Sequence, residues 1–225
     1  MTGTLVNTSA ILIGSVVGLS AGSRISQGIK GILMQALGLA VLVIGLKMAL
    51  SGFDLIPAVA CLLLGGITGE LLHIEDGLEW LGVHLKERFK SDSATFVQGF
   101  VTATILYITG AMTIIGCIQD GTVGDASTLY LKSLLDGVAS VALASTLGVG
   151  VAFSALSVLI VQGSLTILAS HLAFLQQGDV LACITATGGM IILGIGINLL
   201  DIKKIRVGNL SPAVVYAAVY PLIFM

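Results

Sequence analysis

Charge is what this 225-residue chain lacks most. Asp, Glu, Lys and Arg together make up 10% of it, against about 25% in an ordinary soluble domain, so it cannot cover a water-facing surface. Aromatics are only 5% and prolines number three. The three cysteines, Cys61, Cys117 and Cys183, stand singly in apolar segments. An odd, dispersed count excludes a disulfide framework and structural zinc, and leaves them as small apolar packers. Ten basic residues against twelve acidic give a net charge of −2 with no basic patch away from membrane flanks, which excludes nucleic acid as a partner. Disorder is excluded by the same poverty of charge.

What is present is apolar: 56% of residues are hydrophobic, 29 are glycine, and the mean hydropathy is +1.08. Glycine at this level, without a collagen period or a polar linker, suits closely packed membrane helices. The expected partner is therefore the lipid bilayer. Met1–Ser9 carries no basic n-region, so the first apolar run is expected to be a retained span and not a cleaved signal. A span needs about 20 apolar residues. On that criterion, spans are expected near 5–22, 32–51, 55–72, 95–118, 132–149, 151–172, 179–200 and 209–224. The 39-residue stretch 134–172 is too long for one ordinary span, and Gly148-Val149-Gly150 offers its break.

Orientation decides the count. Eight of the ten basic residues lie in three loops: Arg24 and Lys30; Lys86, Arg88 and Lys90; Lys203, Lys204 and Arg206. The positive-inside rule puts all three on the cytoplasmic side. Two crossings between 132 and 172 satisfy it, with both termini outside; one crossing there, for seven in all, does not. A re-entrant pair in the 110–150 region gives the same parity as eight. The fold class expected is thus all-α, a polytopic transmembrane bundle of about eight crossings.

Residues Ile74, Leu78, Leu81, Leu85 and Phe89 share one helical face, with Glu75, Glu79, Glu87 and Lys86 on others. This predicts an amphipathic helix lying in the cytoplasmic interface, with Trp80 near the headgroups. Glu70, His73, His84 and Asp92 surround it, but the spacing of the two histidines is no ligand pair. No metal or cofactor is expected.

A repeat is visible. Gly38, Leu42, Ile44 and Gly45 match Gly189, Leu193, Ile195 and Gly196 at a constant offset, and Pro57-Ala58-Val59 answers Pro212-Ala213-Val214 with a four-residue shift. Spans two and seven differ by five crossings and so run oppositely, which predicts an inverted-topology repeat. The chain then reads as one transmembrane domain, 1–225, with halves at about 1–92 and 151–225 around a central polar hairpin at 95–149. Gly14, Gly18 and Gly22 recur every four residues, and Gly31, Gly38, Gly45 and Gly52 every seven. Both are small-residue seams, able to serve a homo-oligomer as well as the monomer core. Asn7, seven residues before Gly14, points into the bundle.

Polar groups inside a membrane are costly and mark function by default. Here they concentrate between Gln98 and Ser145. Gln98, Thr102, Thr109, Thr113, Gly116 and Asp120 share a face of span four; then comes the turn-rich stretch 120–125, ending at Asp125. Thr128, Lys132, Asp136 and Ser140 follow at four-residue steps, with Ser133 alongside, and Lys132 and Asp136 can pair as i and i+4. Two such stripes resemble the wall of a polar path. The plain structural alternative makes Asp120 the head of a turn, Asp125 a helix cap and Lys132 a snorkelling flank. Asp136, a turn deeper than Lys132, is not explained that way.

The run from Gly110 to Gly121, GAMTIIGCIQDG, then Gly124-Asp125 and Lys132-Ser133-Leu134-Leu135-Asp136-Gly137, resembles the YqgA-like family of bacterial inner-membrane proteins, domain of unknown function 554. The opening Gly3-Thr4 with Asn7, and Gly194-Ile195-Gly196-Ile197-Asn198-Leu199-Leu200 with Lys203-Lys204-Ile205-Arg206, are similar to that family too. The resemblance covers essentially the whole chain. It implies a multi-pass protein of the bacterial inner membrane and implies no substrate.

The leading expectation is a transporter or channel for an ion or small polar solute. In it Asp120, Asp125 and Asp136 bind a cation or proton, Lys132 serves as internal counter-ion, and Thr113, Ser133, Ser140 and Asn7 complete the path. A sensor or assembly factor without transport is the alternative. Catalysis is not expected: an intramembrane aspartyl GxGD element needs Gly where Thr122 stands, and neither HExxH nor GxSxG occurs.

Overall fold

A computed structural model describes residues 1–22, 26–51, 54–91, 94–108 and 111–224. Arg24, Gly52, Asp92, Thr109, Gly110 and the Lys30 side chain lie outside the described residues. Every regular element among the described residues is helical: α1 (Thr2–Gly22), α2 (Gln27–Ala49), α3 (Leu55–Leu71), α4 (Ile74–Arg88), α5 (Phe96–Ile108), α6 (Ala111–Thr122), α7 (Ser127–Leu147), α8 (Gly150–Ile167), α9 (Gly178–Leu199), α10 (Val207–Leu210) and α11 (Ala213–Phe224), with two short 3-10 turns between α8 and α9.

The burial pattern inverts that of a soluble protein. Ile13, Val43, Leu63 and Leu134 are more than 60% exposed, while Thr4, Asn7, Thr113, Ser140 and Gln162 are fully buried. An apolar exterior of this extent needs a lipid environment. Among the described residues four stretches are long and apolar enough to cross a bilayer alone, 2–22, 150–167, 178–199 and 207–224, and two bent pairs, α3 with α4 and α5 with α6, bring the number up to six.

The chain forms two compact units: 1–34, 78–108 and 112–172 in the first; 35–77, 109–111 and 173–225 in the second. In the first unit α1 lies along α7. A Cβ on Gly14 would collide with the Gly137 carbonyl, one on Gly18 with the Val141 carbonyl, and one on Gly22 would sit 2.7 Å from the Ser145 oxygen. The constant step between partners shows that the two helices run parallel with backbones in contact. The glycine seam of α1 is thus taken up within the chain. At the far end of α7, Gly148 adopts φ 81°, a left-handed conformation that glycine alone takes freely, and α8 starts at Gly150. The expected break within 134–172 is there.

The expected fourth span is two helices whose axes differ by 61°. Its ends follow the length of α7: Thr95 Oγ1 donates to the Leu147 carbonyl at one end, and Thr128 Oγ1 donates to Gln119 Oε1 at the other. The fifth span starts earlier than hydropathy suggests, at Ser127 rather than 132, with Asp125 Oδ1 accepting the Ser127 N–H just ahead of it. The turn-rich reading of 120–125 is corrected as well, since α6 runs to Thr122.

In the second unit α2 and α9 cross at the glycines of the sequence repeat. A Cβ on Gly38 would lie 2.7 Å from Leu200 and one on Gly189 would strike Ala49; a Cβ on Gly45 would lie 2.8 Å from Leu193 and one on Gly196 would lie 2.8 Å from Leu42. Contacts that ascend in α2 descend in α9, so the pair is antiparallel. α3 and α11 also pack antiparallel, Gly65 against Ala213 at the start of α11 and Gly69 against Asn209 of α10. On α4 the expected pattern needs one correction. Glu75, placed off the apolar face and so among the polar residues, is buried, and its carboxylate accepts the Gly208 N–H at 2.6 Å.

Candidate functional site

Asp136 lies at the middle of α7, on the buried side of a helix whose other side, Leu131, Leu134, Leu135 and Val138, is exposed. One turn earlier, Lys132 reaches it as the i,i+4 spacing requires: Nζ donates to both carboxylate oxygens, at 3.0 and 2.7 Å. Asn7 of α1 donates from Nδ2 to Asp136 Oδ2 at 2.9 Å. Lys132 and Asp136 are 5% and 7% exposed, so the pair is shielded from water and its partners are fixed. Removing either charge alone would strand the other.

Around this pair the other polar side chains are arranged on neighbouring turns. Lys132 Nζ lies 6.0 Å from the centroid of the Tyr107 ring, and the Tyr107 hydroxyl is 2.8 Å from Ser140 Oγ. Thr113 Oγ1 donates to the Tyr107 carbonyl, Ser133 Oγ to the Leu129 carbonyl. Asp120 Oδ2 accepts the Gly3 N–H at 3.1 Å and lies 2.9 Å from the Met1 nitrogen. Thr4 Oγ1 meets Thr166 Oγ1 of α8 at 3.3 Å.

The structure therefore brings Asn7, Thr113, Asp120, Lys132, Ser133, Asp136 and Ser140 to one buried region, at its centre or on its flank. Asp125 is not among them. It is exposed, and the Ser127 backbone N–H it accepts holds its carboxyl below the usual carboxylate range. Gln98 is exposed too, so the polar stripe expected along span four does not run its length. Tyr107 and Gln162 belong to the region and were not singled out from sequence. A lone tyrosine or glutamine in an apolar run carries no spacing signal.

A second polar cluster sits in the second unit. Arg206 bridges Glu70, at 2.7 and 3.0 Å, and Asp76, at 2.5 Å. Asn209 Nδ2 donates to Glu70 and Asn209 Oδ1 accepts the Glu75 N–H. His73 Nδ1 lies 3.1 Å from Asp76, while His84 stacks on Trp80. The Arg206 guanidinium, with His73 second, holds the Asp76 carboxyl below its ordinary value. Among the described residues no three His, Cys, Asp or Glu side chains converge as metal ligands would. Cys61, Cys117 and Cys183 are buried free thiols.

The DUF554 family, described as "Protein of unknown function (DUF554)", matches residues 2–222. The chain is 32% identical over 218 residues to "Uncharacterized membrane protein YdfK" of Bacillus subtilis (strain 168), covering 95% of this chain and 92% of that one. It is 30% identical over 220 residues to "Uncharacterized protein YqgA" of Escherichia coli (strain K12), covering 96% and 94%. No solved structure matches it. The chain belongs to the DUF554 family, and it is a membrane protein.

Proposed function

We propose that this protein is a multi-pass transporter or channel of the bacterial inner membrane, passing an ion or small polar solute along the buried polar faces of α6 and α7 beside α1. The role proposed is translocation, not catalysis. The observation that carries it is the Lys132–Asp136–Asn7 network at the middle of α7. Each such charge costs about 2.5–3.5 kcal/mol at the centre of a membrane helix on insertion scales, and a well-packed apolar pair of similar volume would be as stable or more so. Retaining them makes sense where a solute must meet polar groups.

The helix directions support eight crossings. With α1, α2 and α3 each crossing and the α5–α6 pair crossing once, α7 is the fifth crossing and runs with α1, as their backbone contacts require. α8, α9 and α10–α11 complete the count and leave the three basic clusters on one side. The matched α2 and α9 contacts support the inverted repeat, a frequent plan among secondary transporters.

The test is flux in liposomes of purified protein. Wild type should pass ions or small solutes well above protein-free vesicles, and Asp136→Asn should lose at least tenfold. Absence of any flux from wild type would overturn the proposal.

A further inference from the structure

Gln162 of α8 is fully buried, yet neither its Oε1 nor its Nε2 has a hydrogen-bond partner. Asn7 Oδ1 is likewise buried and without a partner. Buried polar groups left in this way are rare and costly, and they point to a molecule that satisfies them. The Asn7 amide cannot simply turn over. Its Nδ2 faces Asp136, and a carboxylate already held by an ammonium only accepts. That fixes Oδ1 as an acceptor presented away from Asp136.

The two amides stand at one level. Thr4 touches Thr166. Asn7 is one turn from Thr4 and Gln162 one turn from Thr166, on the faces that continue that contact. α8 runs against α1: Gly22 at the end of α1 packs on Ser145, close to the turn from which α8 starts. The two turns therefore lead in the same direction. Asp136 and Gln162 also lie about equally far from the Gly148-Val149 turn, on its two sides.

We infer that the solute is small and uncharged, offers at least two hydrogen-bond donors and one acceptor, and binds between Asn7 and Gln162. This rests on the transport role proposed above and narrows it. The donors answer Asn7 Oδ1 and Gln162 Oε1; the acceptor answers Gln162 Nε2. Charge is disfavoured because Lys132 and Asp136 cancel each other and the Asp120 carboxylate is held by the Met1 nitrogen and the Gly3 N–H. An ion arriving here would shed its water and find no free counter-charge. Asp136 is then a positioning residue that aims the Asn7 amide. Urea, small amides and short polyols have the required pattern.

The experiment uses wild-type protein in liposomes, with urea and glycerol uptake followed by stopped-flow light scattering, and potassium and proton leak followed with dyes. Gln162→Met keeps the length of the side chain and removes both the amide oxygen and the amide nitrogen. Thr187→Val, at a buried hydroxyl beside Cys183 in the second unit, is the control. Uptake of either solute should fall at least tenfold in Gln162→Met and stay unchanged in Thr187→Val, with Gln162→Met melting no lower than wild type. Ion leak without solute uptake would overturn the inference and leave the transport role standing. No flux of any kind would overturn both. Unchanged uptake in Gln162→Met would overturn the inference. So would a lower melting temperature or failed insertion, since the amide would then be held by structural water.

Discussion

Asn7 donates to Asp136 at 2.9 Å across 129 residues of sequence, fastening the first helix to the middle of the seventh. The same carboxylate carries the Lys132 ammonium, so the three side chains act as one unit. Lys132→Met alone should cost roughly 3–5 kcal/mol, the usual penalty for leaving a buried charge without its partner. The double variant Lys132→Met with Asp136→Leu should recover most of that loss without restoring flux. Unfolding in a denaturing detergent series, run beside the flux assay, measures both; additive losses would mean that the pair is not coupled.

The α1 seam should be intolerant of side chains. Gly14→Val and Gly18→Val each force a side chain into a backbone carbonyl of α7, and overpacking of this kind costs about 1–3 kcal/mol or more. Gly28→Val and Gly31→Val meet open space and should lie within about 0.5 kcal/mol of wild type. Thermal melting in detergent distinguishes the two pairs.

If α2 and α9 are repeat partners, their substitutions should come in matched sets. Gly45→Val would meet the Leu193 backbone nitrogen at 2.8 Å, and Gly196→Val the Leu42 side chain at 2.8 Å with its backbone nitrogen at 3.0 Å. Each should destabilise by about 1–3 kcal/mol, and the two values should agree within about 0.5 kcal/mol. A large inequality would count against the equivalence.

Acid should reach the Arg206 cluster late. The Asp76 carboxyl is depressed in the folded protein by Arg206 and then His73. A depressed carboxylate contributes stability above its unfolded value, about 3.9, and that contribution is lost as pH falls through the lower folded value. Melting temperature should therefore show no loss from Asp76 between pH 7 and about pH 4, and an Asp76-dependent fall only below that. Asp76→Asn should remove this fall. An Asp76-dependent drop above pH 5 would contradict the sign.

Topology has a direct chemical readout. Single cysteines at Ser91 and Lys204 should react with impermeant reagents only from the cytoplasmic side. Labelling of position 204 from outside would mean that 132–172 crosses once, and the eight-crossing arrangement would fall.

What sequence could reveal here was set by distance along the chain. The glycine steps of α1, the i,i+4 pair of Lys132 and Asp136 and the break at Gly148 are local patterns, and each has its structural counterpart. Asn7 could be aimed inward by its spacing from Gly14, but its partner could not be named. Glu75 was misplaced because its buried state depends on Gly208 and Asn209, far away in sequence. Gln98 was misplaced because it shares a face with the buried Thr102 one turn further along α5, and i,i+4 spacing alone does not tell which turn of a face is covered. Gln162 and Tyr107 were missed because an isolated polar group in an apolar helix looks the same whether it faces a site or another side chain.

Helices whose backbones touch along a seam cannot rock against each other without opening it over its whole length. α1 and α7 thus move as one body, and the Asp136 carboxylate, on one helix and bonded to Asn7 of the other, keeps its place within it.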